Sequence, residues 1–202
     1  MTVAEFLRAM VGTSPIEMIA VACGLANVLL IIRRSMWNFP FGLVMVVLYG
    51  KIFFEFKLYS DVILQVYFFV IQLFAIAWWL RGQQDNGDII VRRLPPATLV
   101  LLLPGAGLGI ALIGTLMARF TDASLPFWDA GILVLSFIAQ TLLARRFLEN
   151  WFFWIATDIL AIGVFLAKGL GPTAALYAVF LGLALWGLFQ WRQAAKRQGL
   201  GA

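Results

Sequence analysis

The chain has 202 residues, 63% of them hydrophobic and 12% charged, with a mean hydropathy of +0.95 and a net charge of +5. A soluble domain is about a quarter charged, so this composition specifies a protein embedded in lipid. There is one cysteine, Cys23, and no histidine, which excludes an internal disulfide, a multi-cysteine metal site and the commonest general base and pH switch. No cofactor is expected.

From the N-terminus, MTVAEFLRAMVGTSP lacks the basic region and cleavage site of a signal peptide. Val3, Phe6, Leu7, Met10 and Val11 have the spacing of a short interfacial helix. Seven apolar stretches follow, each close to the twenty residues a bilayer requires, at about 15–33, 38–55, 60–80, 95–118, 126–144, 150–168 and 172–191. The longest connection, Arg81–Leu94, reads as a polar connector without a catalytic signature. The fourth span is rich in Gly and Leu, and its Gly105 and Gly109 form a GxxxG pattern that predicts close helix packing.

Charge sets an expected orientation. Arg33, Arg34, Arg81, Arg92, Arg93, Arg145, Arg146, Arg192, Lys196 and Arg197 fall on one side of the membrane, and Arg8, Lys51, Lys57, Arg119 and Lys168 on the other. The positive-inside rule then places the N-terminus outside and the C-terminus in the cytoplasm of a cell inner (plasma) membrane. Because the basic residues sit in short loops rather than an aromatic-interleaved patch, no nucleic-acid partner is expected.

The chain also repeats. A shift of 112 residues carries Arg33-Arg34 onto Arg145-Arg146, Asn38 onto Asn150, Leu58 onto Leu170, Phe68 onto Phe180 and Trp79 onto Trp191. The expectation is an all-α integral membrane protein of seven transmembrane helices in a single domain. Repeat one covers about 15–80, a linker helix about 95–118 and repeat two about 126–191. This is a 3+1+3 parallel repeat, an arrangement used by transporters.

Polar residues on helical faces nominate a site. Asp61, Gln65, Phe68 and Gln72 share one face of the third span. Asp129, Ser136 and Gln140 share one face of the fifth, Trp151, Trp154 and Asp158 one of the sixth, and Thr173, Tyr177 and Phe180 one of the seventh. Asn27 is the polar residue of the first. Polar groups are expensive in lipid, so these faces should look into protein or a wet cavity. The competing reading makes the glutamines hydrogen-bond glue between helices. Trp37, Trp79, Trp151 and Trp191 lie near span ends and are expected as interfacial anchors. Trp154 lies deeper and shares its face with Asp158, which favours a role at the site. Amides, one carboxylate and large aromatics suit a neutral or cationic ring bearing hydroxyls.

Two segments, NFPFGLVMVVLYGKIFFEFKLYSDVILQVYF and SFIAQTLLARRFLENWFFWIATDILAIGVFLAKGLGPTAALY, resemble the two halves of the PnuC-type nicotinamide riboside transporters. The likeness covers about residues 20–192. It implies a fold similar to a full-length SWEET sugar transporter and facilitated diffusion of a vitamin precursor trapped by a cytoplasmic kinase. It also implies a pocket that takes in Gln65, Gln72, Gln140, Trp154, Asp158 and Tyr177. Members of that family often carry an Asn three residues after the Gly of a Pro-x-Gly motif. Here Pro40 and Gly42 are present and that position is Met45. Relatives carry thiamine, riboflavin or deoxyribonucleosides, so the vitamin stays open.

The expected partners are the small-molecule substrate and the lipid bilayer, with self-association into a homo-oligomer left open. A membrane enzyme would need a nucleophile–base pair or a metal cluster. A scaffold would not need the repeated polar faces, and direct driving by ATP would need a phosphate-binding loop. Ion coupling through Asp158 or Asp61 is the lesser alternative to uniport.

Overall fold

The structure is a computed structural model and describes residues 14–55, 59–83 and 89–199. The expected N-terminal interfacial helix lies outside the described residues. Among the described residues, seven helices are long and apolar enough to cross a membrane. They are α1 (Pro15–Ile32), α2 (Asn38–Glu55), α3 (Tyr59–Leu80), α4 (Pro96–Phe120), α5 (Pro126–Ala144), α6 (Asn150–Ala167) and α7 (Gly171–Arg197). Ser14 and Glu17 start α1 with a reciprocal capping box, and Pro15 occupies its first turn, where a missing N–H is harmless. The last helix runs six residues past Trp191, so the expected tail begins as helix.

Neighbour packing orders six of the helices into a closed ring. Among the described residues α1 packs on α2 and α7, α3 on α2 and α5, and α6 on α5 and α7. Helix α4 stands outside the ring and packs on α5 alone. The GxxxG expectation holds only in part. Gly109 lies against Val134 of α5, while a side chain at Gly105 would meet no atom within 4 Å. The outward face of α4, with Leu101, Leu108 and Leu112 exposed, is left for lipid.

The turns after α1 and α5 are built alike. Each ends its helix with a residue in the left-handed region, Arg34 (φ 55°) and Arg146 (φ 63°). Each closes with paired bonds, Arg34 N–H to Ile31 O and Ser35 N–H to Leu30 O in one, Arg146 N–H to Leu143 O and Phe147 N–H to Leu142 O in the other. This is the Schellman stop, which favours glycine at that position; an L-residue there costs roughly 1–2 kcal/mol. The Nδ2 groups of Asn38 and Asn150 then donate to Ser35 O and Phe147 O and fix the next helix start. All these positions correspond at the 112-residue shift.

The basic end of the ring is closed by aromatic side chains. Phe39 packs edge-on against Trp79 (5.4 Å between centroids), Trp79 meets Trp191 across the ring (6.1 Å), and Trp191 packs edge-on against Trp151 (5.7 Å). Trp79 and Trp191 are 1% and 0% exposed. The expected interfacial placement of Trp79, Trp151 and Trp191 is therefore wrong: they are core, and Trp37 alone of the four is exposed. Two of the three indoles find acceptors inside the protein, while the buried Trp151 Nε1 has none among the described residues. Trp79 Nε1 donates to Leu143 O (3.3 Å) and Trp191 Nε1 to Ile31 O (3.0 Å).

The connector is more than a polar link. Its residues Ile89, Val91 and Leu94 are buried, the first two with the tryptophans. Arg92 exchanges backbone bonds with Arg146 and Leu148, and Gln198 clamps Ile89 and Val91. Buried Glu149 accepts from Arg93 Nε (2.9 Å) and Leu94 N–H (2.8 Å). The segment straps the aromatic row from the basic side.

Removing one indole donor while keeping an aromatic ring costs about 1 kcal/mol. Trp79→Phe and Trp191→Phe are therefore expected to lower the detergent unfolding temperature by comparable amounts. Scanning calorimetry of the purified variants checks this, and a strongly unequal pair would contradict the reciprocal bonds.

Candidate functional site

The aromatic row fixes which faces of α2 and α6 point into the ring. Phe39 is followed on the same face of α2 by Gly42 and Val46, and Trp151 on α6 by Trp154 and Asp158. Gly42, Val46 and Asp158 are buried, with Asp158 5% exposed, and Trp154 is half-buried. At 1.5 Å per residue, Asp158 lies about 12 Å along α6 from its start, near the middle of the membrane.

Three helices converge on Gly42. A side chain there would overlap the amides of Asn27 from α1 and Gln72 from α3. Asn27 Nδ2 is committed to Asn38 O (2.8 Å), which ties α1 to the start of α2. Gln72 is different: its Oε1 is buried and accepts no hydrogen bond. A desolvated carbonyl oxygen without a donor is an available acceptor. Gln65, two turns along the same helix, has the same property at Oε1.

The second half of the ring places other chemistry at the equivalent positions. Asn27, Gly42 and Gln72 correspond to Ala139, Trp154 and Ala184. Trp154 packs against both hydrophobic clusters, one containing Ala184 and the other Ala139. The two alanines leave the room that the indole takes. Asp158 has no ion pair and no hydrogen bond among the described residues. Gln140, half-buried, lies one turn from the basic end of α5. Farther out, Gln65 corresponds to Tyr177 and Phe68 to Phe180. Tyr177 stacks on Phe165 (5.3 Å) and meets Phe180 edge-on (6.2 Å).

The sequence-nominated residues thus fall into layers. Asn27, Gln72, Trp154 and Asp158 lie above the aromatic row, Gln140 lies close to the depth of Asn27, and Gln65, Phe68 and Tyr177 form an outer layer. Asp129 leaves the set, because its carboxylate holds Lys168 Nζ at 2.8 and 3.0 Å and braces α5 to α6. The side chain of Asp61 lies outside the described part. Met45 packs against Gly24 of α1, with its Sδ 3.0 Å from where a Gly24 side chain would begin. Sequence reasoning missed Tyr67, whose hydroxyl bonds Thr141 Oγ1 (2.6 Å) and Phe137 O (3.2 Å) and joins α3 to α5.

The model of a family described as nicotinamide mononucleotide transporters matches residues 14–193. The chain belongs to that family. It is 27% identical over 209 residues to the nicotinamide riboside transporter PnuC of Escherichia coli (strain K12), an alignment covering 91% of this chain and 87% of that one. It is 26% identical over 185 residues to the riboflavin/roseoflavin transporter RibM of Streptomyces davaonensis, covering 90% and 86%. A crystal structure of the vitamin B3 transporter PnuC superposes with a TM-score of 0.73 at 24% identity, covering 89% of this chain and 81% of that one. That likeness establishes the fold. The chain is thus a multi-pass membrane transporter, and not an enzyme.

Within this family member, Gly42 is where the smallest change reaches the site. Gly42→Ala pushes the Gln72 amide aside, and Gln72→Ala removes it. Losing one hydrogen bond to a desolvated ligand costs about 1–3 kcal/mol, so each change is expected to weaken substrate binding roughly five- to a hundredfold. Gln140→Ala is expected to weaken it in the same direction. Titration of monodisperse protein checks this; normal binding by Gln72→Ala and Gln140→Ala would return both residues to helix glue.

Proposed function

We propose that the protein is a uniporter for nicotinamide riboside, carrying it down its gradient for NAD synthesis, with trapping by phosphorylation in the cytoplasm. The observation that carries the reading is the mid-membrane layer, where the unpartnered Gln72 Oε1 sits over Gly42 and Trp154 and Asp158 stand on the opposite helix. A riboside supplies hydroxyl donors to an amide oxygen. Its flat, positively charged nicotinamide ring suits an indole face and a carboxylate. Asn27 holds the frame around Gln72, and Gln65, Phe68 and Tyr177 line the approach from the outer layer. Gln140 lies nearest the basic end. The chain has no phosphate-binding glycine loop, which supports a carrier that ATP does not drive directly.

The same reading treats the chain as one domain of two three-helix repeats, about 15–80 and 126–191, joined by the linker helix of about 95–118. The matched turns after α1 and α5 support it. The N-terminus lies outside and the C-terminus in the cytoplasm of the inner membrane, as the Lys and Arg asymmetry supports.

Riboflavin is the second reading, favoured by the similarity to RibM. The two substrates differ in charge, so Asp158 separates them. Trp154→Ala is expected to lower affinity for nicotinamide riboside at least about tenfold, and Trp154→Phe to retain part of it, because a phenyl ring still stacks. Asp158→Asn should be severe for the cationic ring and mild for the neutral flavin. Parallel titrations of nicotinamide riboside, thiamine and riboflavin on folded protein decide between them. Near-wild-type binding by Trp154→Ala would reject the stacking role.

A further inference from the structure

At the basic end, outside the ring, the surface opens into a hollow of about 290 Å³ lined by Trp78, Arg81, Arg92, Arg145 and Arg146. Four arginine side chains thus border one space. Among the described residues none of them forms an ion pair. Glu149, the buried carboxylate of the neighbouring turn, is already held by Arg93 and the Leu94 N–H. Arg145 lies over the Trp78 ring (5.2 Å) and Arg92 over Phe147 (4.7 Å), contacts that orient a guanidinium without neutralising it.

Arg146 is the best-fixed of the four. Its guanidinium lies against Gly82, in the space a side chain there would fill, and Nη1 donates to Ile90 O (3.4 Å). Its Nε is buried and has no acceptor. Burial, and then the charge of Arg92, push its pKa below the ordinary arginine value. Arginine holds this place although the backbone, at φ 63°, favours glycine. An orphaned donor and like charges crowded together, with no counter-ion among the described residues, describe a site open to an anion.

We infer that this hollow binds a phosphate group, as the headgroup of an anionic lipid or as a soluble phosphate ester. Planar guanidinium forks match phosphate oxygens two at a time, and four arginines bordering one space supply more positive charge than a carboxylate or chloride needs. A headgroup has a route to the hollow along α3, where exposed Phe74 stacks on Trp78. A soluble ester has one from the aqueous face through exposed Arg81 and Arg92. The inference is independent of which vitamin the ring carries.

The test uses the full chain. Native mass spectrometry in micelles doped with phosphatidylglycerol or phosphatidylcholine reads the lipid source. A thermal-shift titration with inorganic phosphate, balanced by chloride at constant ionic strength, reads the soluble one. Wild-type protein is expected to retain phosphatidylglycerol over phosphatidylcholine, or to show a saturable phosphate shift; the arm that responds names the source. Arg81→Gln/Arg145→Gln should weaken the response at least about tenfold. The single Arg81→Gln change should weaken it in the same direction, and among the described residues the Arg81 side chain makes no hydrogen bond or ring contact on which folding depends. Arg192→Gln/Lys196→Gln removes two charges from the same end outside the hollow and should leave the response intact. If neither probe binds wild-type protein saturably, or if the Arg192/Lys196 pair loses as much as the Arg81/Arg145 pair, the site is rejected.

Discussion

Two carbonyl oxygens, Ile31 O and Leu143 O, hold the architecture together. Each accepts a backbone N–H from the arginine that ends its helix and an indole N–H from a helix of the other half. The backbone N–H of the turn already satisfies one lone pair of each carbonyl, and the indole N–H takes the second. In doing so the tryptophans draw α3 onto α5 and α7 onto α1. Those are the two contacts that close the ring. The aromatic row, the strap formed by Ile89, Val91 and Leu94, and the direction in which Gly42 and Trp154 face all follow from that closure.

Beside the matched turns after α1 and α5, the positions that differ at the 112-residue shift are informative. Where one half has Asn27, Gly42 and Gln72, the other has Ala139, Trp154 and Ala184. One half offers amides around a missing side chain, the other a large ring between two small residues. Val46 and Asp158 likewise share a position but differ by a charge. An asymmetric lining suits a ligand with a flat ring at one end and hydroxyls at the other. Deeper burial of like residues in both halves, as at Asn38 and Asn150, marks the shared frame instead.

The seven spans were legible because hydropathy alone sets them, and their bounds moved by no more than a few residues except where α7 continues past Trp191. The burial of Asp158 and Gln72 was legible because a carboxylate or amide inside an apolar run is costly and therefore conspicuous. Trp79, Trp151 and Trp191 were misread. Interfacial enrichment is a statement about composition near helix ends, and it cannot distinguish an indole facing lipid from one facing a partner half. The signal that could have corrected it was present, since Trp79 and Trp191 fall on the same repeat register as the paired arginines. The strap was hidden for a different reason. Ile89, Val91 and Leu94 are spread among charged residues, and nothing local shows that all three are buried, the first two against tryptophans far away in sequence. Asp129 looked like part of a polar face because helical periodicity places it there, whereas its partner Lys168 sits on another helix.

The proposed substrate position is the mid-membrane layer, directly above the aromatic row, between Gln72 on one side and Trp154 with Asp158 on the other. The structure of the protein with nicotinamide riboside bound tests this placement. The nicotinamide ring is expected against the Trp154 indole, with a ribose hydroxyl within hydrogen-bond distance of Gln72 Oε1 and the row from Phe39 to Trp151 beneath the ligand. Ligand confined to the outer layer between Gln65 and Tyr177, with the Gln72 amide turned onto Asn27, would contradict it.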